Sequence, residues 1–454
     1  MGRFCLFLPE FAFEGTDPHA GDIGHWLGMT EGAGRRGAAA LRKGTFCLDR
    51  GRKRGYNGAK ITPADGAATQ EVHGMNIGLL GFGVVGGGVW ELAAERDDIR
   101  VQRVLLRSPK AELPEGVGTF DVNDILNDGT IDTVVEVMGG LHPAYEYVTA
   151  AMEKGKHVVT ANKALIAAYY SELTALAEKQ GVALRYTAAV GGGIPWLVNL
   201  ERVKRLDTVC AVGGIMNGTT NFIMDAMHRS PVDFPAILRE AQALGYAEAD
   251  PSADIDGDDI RRKLCISANI AFDAVLQETD IPTFGIRTVT AGDIAAFQAH
   301  GFACRLLARA ESAGDGVCAY VEPTLVGAAD LEAAVPANFN LITYEAEKLG
   351  RQSFYGQGAG RFPTASNVMQ DCLTVLGGAR GSYTRKASPA RLVSAEAHPY
   401  YVRTAAPDEF LRAHTAEVWE NGAVVTGAVD TFEMLAWAKA QLEKDGGAFI
   451  AGIR

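Results

Sequence analysis

The chain has 454 residues, 47% of them hydrophobic and 22% charged, which is room for two or three domains with cores of their own in an ordinary soluble globular protein. Its formal net charge of -12 at pH 7 argues against nucleic acid or an anionic membrane surface as a partner. The seven cysteines (Cys5, Cys47, Cys210, Cys265, Cys304, Cys318, Cys372) are scattered with no C-x-x-C pair. They suit reduced thiols in a cytoplasmic protein rather than a disulfide framework or a zinc site, and no apolar run approaches the roughly 20 residues of a membrane span.

Residues 1–74 are rich in glycine, mixed in charge and without sustained periodicity, and are expected to be a disordered N-terminal extension. The apolar patch at residues 4–8 is too brief for a signal peptide's core, and Arg35-Arg36 lacks the apolar segment of a twin-arginine signal. Met75, immediately before the first strand, is a natural alternative start. Then Asn76-Ile-Gly-Leu-Leu-Gly81-Phe82-Gly83-Val84-Val85-Gly86 reads as an apolar strand, a glycine turn and a helix over residues 89–95. In that setting G-x-G-x-x-G marks a dinucleotide fold: Gly81 turns the chain, Gly83 lets a pyrophosphate approach, and Gly86 lets the helix pack on the strand. The phosphates belong at the helix N-terminus.

The second strand, residues 101–106, ends in Arg107-Ser108 where an NAD site usually has an acidic residue. A cation and a hydroxyl suit a 2′-phosphate, so NADP(H) is expected in preference to NAD(H); a merely solvated arginine is the other reading. Residues 133–138 form a buried strand ending in Gly139-Gly140, and His157-Val-Val-Thr-Ala-Asn-Lys163 places Lys163 at a strand's carboxyl end, where open α/β sheets bind ligands. Residues 182–187 read as a further strand, followed by the glycine-rich Ala188-Ala-Val190-Gly-Gly192-Gly-Ile194-Pro195. From about Asp207 the pattern changes to an alternating strand, residues 209–215, and then Asn217-Gly-Thr-Thr-Asn-Phe-Ile223 leads into a helix, where Asn or Thr is often no more than a cap.

Residues 234–244 are helical in pattern, with Gly245 as their cap. The acidic loop that follows, Gly245-Tyr-Ala-Glu248-Ala-Asp-Pro-Ser-Ala-Asp254-Ile-Asp-Gly-Asp-Asp259-Ile-Arg-Arg-Lys263, runs into the apolar segment 264–272. Asp259 and Lys263 share a helix face, as a surface pair or as two halves of a site. Carboxylates beside a core helix are expensive unless something meets them. Residues 302–307 fit helix or strand, residues 319–326 fit a strand that Pro323 pushes to a sheet edge, and a helix is expected over residues 364–376 behind the glycines around Gly360. The tail from about residue 391 has a strand at 398–403, a helix at 431–444 and a strand at 448–454.

The stretch from Gly245 to Lys263 fills every fixed position of G-Y-[AT]-E-x-D-P-x-x-D-[IVL]-x-G-x-D-x-x-x-K, and so resembles the substrate signature of homoserine dehydrogenases. Thr160-Ala-Asn-Lys163-Ala-Leu165 and Asn217-Gly-Thr-Thr-Asn-Phe-Ile223 are similar to further motifs of that family, in order, and the resemblance spans Met75 to about Gly381. It implies an α/β fold. A Rossmann domain (75–207) would follow the extension (1–74), and an α+β catalytic and dimerisation domain (208–385) would follow that. A reduced ACT-like module (391–454) would close the chain, too short for the full βαββαβ pattern. The implied reaction interconverts L-homoserine and L-aspartate 4-semialdehyde with NAD(P)H, in threonine, methionine and isoleucine biosynthesis, in a homodimer or homotetramer. Lys263 is implied as proton donor, with Lys163 beside it and Asp259 holding substrate. Asp254 and Glu248 are implied as substrate ligands. Gly81 to Gly86, Arg107, Lys163, Gly245, Glu248 and Gly360 are implied at the cofactor. The family also binds a monovalent cation, Na+ or K+, through main-chain carbonyls that correspond to Val190, Gly192 and Ile194. Thr187 stands where the family's Y-E-A-A-V-G-G-G has its Glu, which removes a carboxylate from that loop. Two rivals are an acylating semialdehyde dehydrogenase, which needs a cysteine nucleophile in a glycine-rich turn, and a non-catalytic NADPH-binding sensor.

Overall fold

The computed structural model describes residues 74–384 and 387–454, so the expectations for the N-terminal extension fall outside the described residues. The described chain opens with strand β1 (Met75–Leu80), helix α1 (Val84–Ala94), β2 (Ile99–Leu105), β3 (Gly118–Thr119) and α2 (Asn123–Leu126). It continues through β4 (Thr133–Glu136), α3 (Ala144–Glu153), β5 (His157–Thr160), α4 (Lys163–Gln180), β6 (Leu184–Arg185) and α5 (Trp196–Val203). The six strands form one parallel sheet in the order β3-β2-β1-β4-β5-β6. Helices cover such a sheet on both faces, which is why its strands read as continuous apolar runs. The order reverses between β1 and β4, and a crevice opens there beyond their carboxyl ends, the place where this architecture receives dinucleotides. Helix α1 begins at Val84, earlier than its sequence suggests, because Gly86, Gly87 and Gly88 are helical and buried rather than part of the turn.

The second layer begins with β7 (Val209–Ile215), α6 (Gly218–Arg229), α7 (Phe234–Ala243), α8 (Ser252–Ile255) and α9 (Asp258–Ala271). After β8 (Ala274–Val275) and α10 (Ala291–Ala299) come four strands: β9 (Phe302–Ala313), β10 (Gly316–Gly327), β11 (Phe339–Ala346) and β12 (Gly350–Gln357). Helix α11 (Arg361–Leu376) returns to the first sheet and packs along α1. The tail holds β13 (Ser388–Pro389), β14 (Arg391–Leu392), β15 (Ala397–His398), β16 (Tyr400–Arg403), α12 (Glu409–His414) and β17 (Thr415–Val418). It finishes with β18 (Val424–Thr426), β19 (Val429–Asp430), α13 (Thr431–Lys444) and β20 (Phe449–Ile453).

Nine of these strands make one continuous path, β12-β11-β7-β9-β10-β20-β16-β18-β17, with β14 added on β10. Helix α9 lies against β7, β9 and β10, and its residues from Leu264 to Ala271 are all buried. The ambiguous run at 302–307 is strand. Two sequence expectations need correction. Pro323 does not mark a sheet edge: β10 pairs with β9 along its whole length and, on its other side, with β14, with Thr283 and with β20 in turn. The Thr283 bridge falls at Val321 and the β20 pairing starts at Thr324, so the imino nitrogen of Pro323 lies in the gap between two partners. The tail is not reduced in strand number either. β16, α12, β17, β18, α13 and β20 follow a complete βαββαβ order, with the strands arranged β20-β16-β18-β17. Its apparent shortness came from brief elements joined by tight turns.

Two buried polar clusters bind this unit to the rest of the second layer, one at β10 and one at α10. Glu322 of β10 is fully buried; His398 lies 2.9 Å from one of its oxygens and the Tyr400 hydroxyl donates to the other at 3.0 Å. Asp293 accepts from Tyr401 at 2.6 Å and Arg403 at 2.7 Å while forming a capping box with Thr290 on α10.

Candidate active site

The glycines after β1 behave as three different devices. Gly81 has φ +102, a left-handed value that β-carbons resist, and it turns the chain beneath Met138. A β-carbon on Gly86 would lie 2.2 Å from the Gly81 carbonyl oxygen, so only glycine lets α1 sit this close to β1. Gly83 is the opposite case: nothing lies within 4 Å of where its β-carbon would be. Gly83 also caps α1 with no side-chain acceptor, leaving first-turn N–H groups for an anion. Val84 is exposed, Val85 packs into the core, and Phe82 stacks edge-on with Trp90. The cleft over this turn has a volume of about 400 Å³ and is lined by Gly81, Phe82, Gly83, Arg107, Ser108 and Lys110 among others. Lys110, a second cation on the same lip, was not singled out from the sequence.

Across the crevice, Glu136 closes β4. It is buried, accepts from the Met138 and Gly139 amides at 2.8 and 3.2 Å, and accepts the Thr160 hydroxyl of β5 at 2.5 Å. Burial pushes its carboxyl above the usual range, against those hydrogen bonds. The Asn162 amide ties the end of β5 to the Gly140 carbonyl at 2.6 Å, and its oxygen caps α4 through the Leu165 amide. Glu136 was not singled out from the sequence, although an acid inside the apolar run Thr133-Val-Val-Glu136-Val was a signal for it.

Lys163 follows as the first residue of α4, where the helix dipole disfavours a cation. Asp259 offsets that. It sits in the first turn of α9, 4% exposed, and its two oxygens each take one lysine: Lys163 at 2.7 Å and Lys263 at 2.7 Å. The positive φ of Gly257, +92, starts α9 at the angle this needs, and a β-carbon there would meet Thr283 at 2.7 Å. Burial alone would raise the Asp259 carboxyl, but the two ammonium groups hold it well below the usual range. For Lys263, 7% exposed, burial dominates and pulls the ammonium below the usual lysine value; Asp259 opposes this and Lys163 adds to it. The like charge of Lys163 is therefore present but secondary to desolvation. Lys163 is shifted upward, chiefly by Asp259.

Lys263 also donates to the Met216 carbonyl at 2.6 Å, so two of its three protons are committed and one is left for a ligand. The Asn217 amide donates to Asp259 and to Asp254, each at 2.7 Å, while its oxygen caps α6 through Thr220. Asp254, half-buried on α8, is raised first by burial and then by Asp259. Gly245 has φ +75 and ends α7. Glu248 lies exposed in the segment after it, with its carbonyl, rather than its carboxylate, accepting from Gln242 at 3.1 Å. Gly360, φ +128, caps α11 where that helix meets α1.

This combination, a dinucleotide crevice facing a buried lysine–aspartate–lysine cluster, agrees with what the chain is similar to. Residues 81–187 match the family model described as "Homoserine dehydrogenase, NAD binding domain" and residues 195–373 match the one described as "Homoserine dehydrogenase". The homoserine dehydrogenase of Corynebacterium glutamicum is 42% identical over 323 residues, 67% of this chain and 72% of that protein. That of Lactococcus lactis is 36% identical over 356 residues, 74% of this chain and 83% of that protein. A crystal structure of a homoserine dehydrogenase from Thiobacillus denitrificans superposes with a TM-score of 0.75 at 33% identity, over 84% of this chain and 98% of that one. The chain belongs to the homoserine dehydrogenase family. It is an oxidoreductase with a Rossmann NAD(P)-binding domain.

The glycine-rich loop expected to bind a cation lies against α11. Val190 is buried, and Gly192 and Ile194 present their carbonyls to the Asn367 side-chain amide of α11 at 2.6 and 2.9 Å. Thr187 donates through its amide and its hydroxyl to the two oxygens of Asp371, both at 2.7 Å. Neither Asn367 nor Asp371 was singled out from the sequence, since both sit in an ordinary amphipathic helix. Among the described residues no helix is long and apolar enough to cross a membrane.

Proposed function

We propose that this chain interconverts L-homoserine and L-aspartate 4-semialdehyde with NADP(H) in preference to NAD(H), acting in the cytoplasm as a homodimer or homotetramer. The observation that carries this reading is Asp259, buried and bridging Lys163 and Lys263 at 2.7 Å each. An ion cluster buried at this expense is retained when a ligand uses it. A bound nicotinamide supplies or takes the hydride. In the reducing direction Lys263 gives its uncommitted proton to the aldehyde oxygen as negative charge develops there. Asp259 keeps Lys263 charged and fixed, and Lys163 stands over the same carboxylate at the substrate side. Glu248 and Asp254 receive the substrate's ammonium group. The turn from Gly81 to Gly86 holds the pyrophosphate, Gly245 and Gly360 border the cofactor, and Arg107 with Lys110 faces the 2′-phosphate.

Four of the five described thiols argue against the acylating chemistry that needs a cysteine nucleophile. Cys265, Cys304, Cys318 and Cys372 are buried, and burial pushes Cys318 up to about 11 and Cys265 up to about 12. Homoserine-dependent reduction of NADP, followed by the absorbance of the reduced nicotinamide, tests the proposal. The wild-type chain should turn over, and Lys263→Ala should lose about 10²-fold or more in kcat with cofactor affinity nearly unchanged. Wild-type turnover in the variant would remove Lys263 from the mechanism, and no turnover in either protein would favour the sensor reading.

A further inference from the structure

We infer that the side-chain amide of Asn367 takes the place of the monovalent cation in the glycine-rich loop, so that this chain holds its loop without Na+ or K+. Two carbonyl oxygens, those of Gly192 and Ile194, converge on one nitrogen. Only a donor or a cation can occupy such a point, and a primary amide brings two protons for two acceptors. Asn367 is buried, 5% exposed, so this is an interior contact and not a surface rotamer. The Ile194 carbonyl also accepts from the Trp196 amide at 2.8 Å, which commits both of its lone pairs. A cation at this spot would have to displace one of those bonds.

Charge points the same way. Thr187 stands where the family has a glutamate, and it is turned inward onto Asp371, the residue one helical turn beyond Asn367. The Asp371 carboxylate is itself taken up by the Thr187 amide, the Thr187 hydroxyl and the Tyr383 hydroxyl at 3.3 Å. A cation brought to the Gly192 and Ile194 carbonyls would be buried without a carboxylate ligand from position 187, an unfavourable exchange for a neutral amide that makes the same contacts. Helix α11 thus clamps both ends of the loop, through Asp371 at Thr187 and through Asn367 at Gly192 and Ile194. Asn367 is a positioning residue, holding the loop against the helix that also packs on α1.

The test is a titration of NaCl and KCl against choline chloride at constant ionic strength, on protein freed of both ions, with the melting temperature as readout beside homoserine-dependent NADP reduction. The wild-type chain should show the same Tm and kcat in all three salts. Asn367→Ala should open the position and Asn367→Asp should place an anion against two carbonyls. At least one of these variants should then gain about 2 °C or more in Tm, saturably, with Na+ or K+ but not with choline. A saturable, ion-specific rise in the wild-type Tm overturns the inference, and so do variants whose Tm is the same in choline, Na+ and K+. The inference rests on family membership and not on the reaction assigned above, because the melting readout reports ion binding whatever the substrate is.

Discussion

Lys263 is the residue whose behaviour is most constrained by its surroundings. Burial lowers its ammonium pKa, and the Asp259 carboxylate resists that. Asp259→Asn removes the resistance, so the Lys263 pKa must fall further. As the proton donor proposed for the reducing direction, Lys263 has to start protonated, so the rate should fall as pH rises through its pKa. The alkaline limb of kcat/KM should therefore move to lower pH in the variant. A pH–rate profile with an unmoved limb would show that another group titrates there. The second residue-scale expectation concerns Arg107: Arg107→Asp should weaken NADPH by about tenfold or more and NADH far less, because it trades a phosphate partner for a repelling charge. Equal losses for both cofactors, measured by fluorescence titration, would make Arg107 solvated surface. Much at this scale was legible. Asp259 and Lys263 are four residues apart, and helical spacing alone puts them on one face. The contact between Lys163 and Asp259 was beyond local patterns, because the two lie on helices that meet only after both layers have formed. Asn367 was beyond them too: nothing in Thr364-Ala-Ser-Asn367-Val indicates that its amide ends on a loop far earlier in the chain.

At the scale of elements, α1 separates room kept for the fold from room kept for a ligand. A β-carbon on Gly86 meets the Gly81 carbonyl at 2.2 Å, and backbone cannot move aside cheaply. Gly86→Ala should cost about 1–3 kcal/mol of stability and weaken the cofactor as the helix lifts. Gly83→Ala meets nothing within 4 Å and its φ of -90 suits alanine, so Tm should stay as it is while cofactor affinity falls. Melting curves and isothermal titration on the pair check this; equal Tm losses in both would refute the distinction. The sequence misplaced the start of α1 for a related reason. Three glycines disfavour a helix by propensity, yet here they are where other elements press closest, with Gly88 against Arg361 and Ala365 of α11. Tertiary packing overrode the local signal. Pro323 misled in the same way, since only the staggered partners of β10 reveal a gap that a proline tolerates inside a sheet.

For the whole molecule, the βαββαβ unit decides what regulation to expect. Helix α12 begins at Asp408, whose carboxylate accepts from the Leu411 amide at 3.1 Å and from the Trp437 indole at 3.0 Å. An amino acid docking by its carboxylate at this helix start would meet a resident anion. Threonine should inhibit homoserine oxidation weakly or not at all. Strong inhibition in a steady-state assay, lost on deleting residues 391–454, would overturn this. The sequence showed the first and last strands of the unit and its second helix but not the two strands between, because β17 and β18 are short and β17 is exposed throughout. Nor did it show that β20 joins two assemblies of strands. β20 pairs in parallel with β10 and antiparallel with β16, and so it bridges the catalytic strands and the unit's own. Every strand it bridges precedes it in the sequence. On the ribosome those strands emerge first, and β10 then waits with the flank at Thr324 and Leu325 unpaired, a sticky edge in a crowded cell. Completing the sheet thus waits on Phe449–Ile453, and until that segment is made the nascent chain carries an open strand edge that chaperones or a wrong strand can meet.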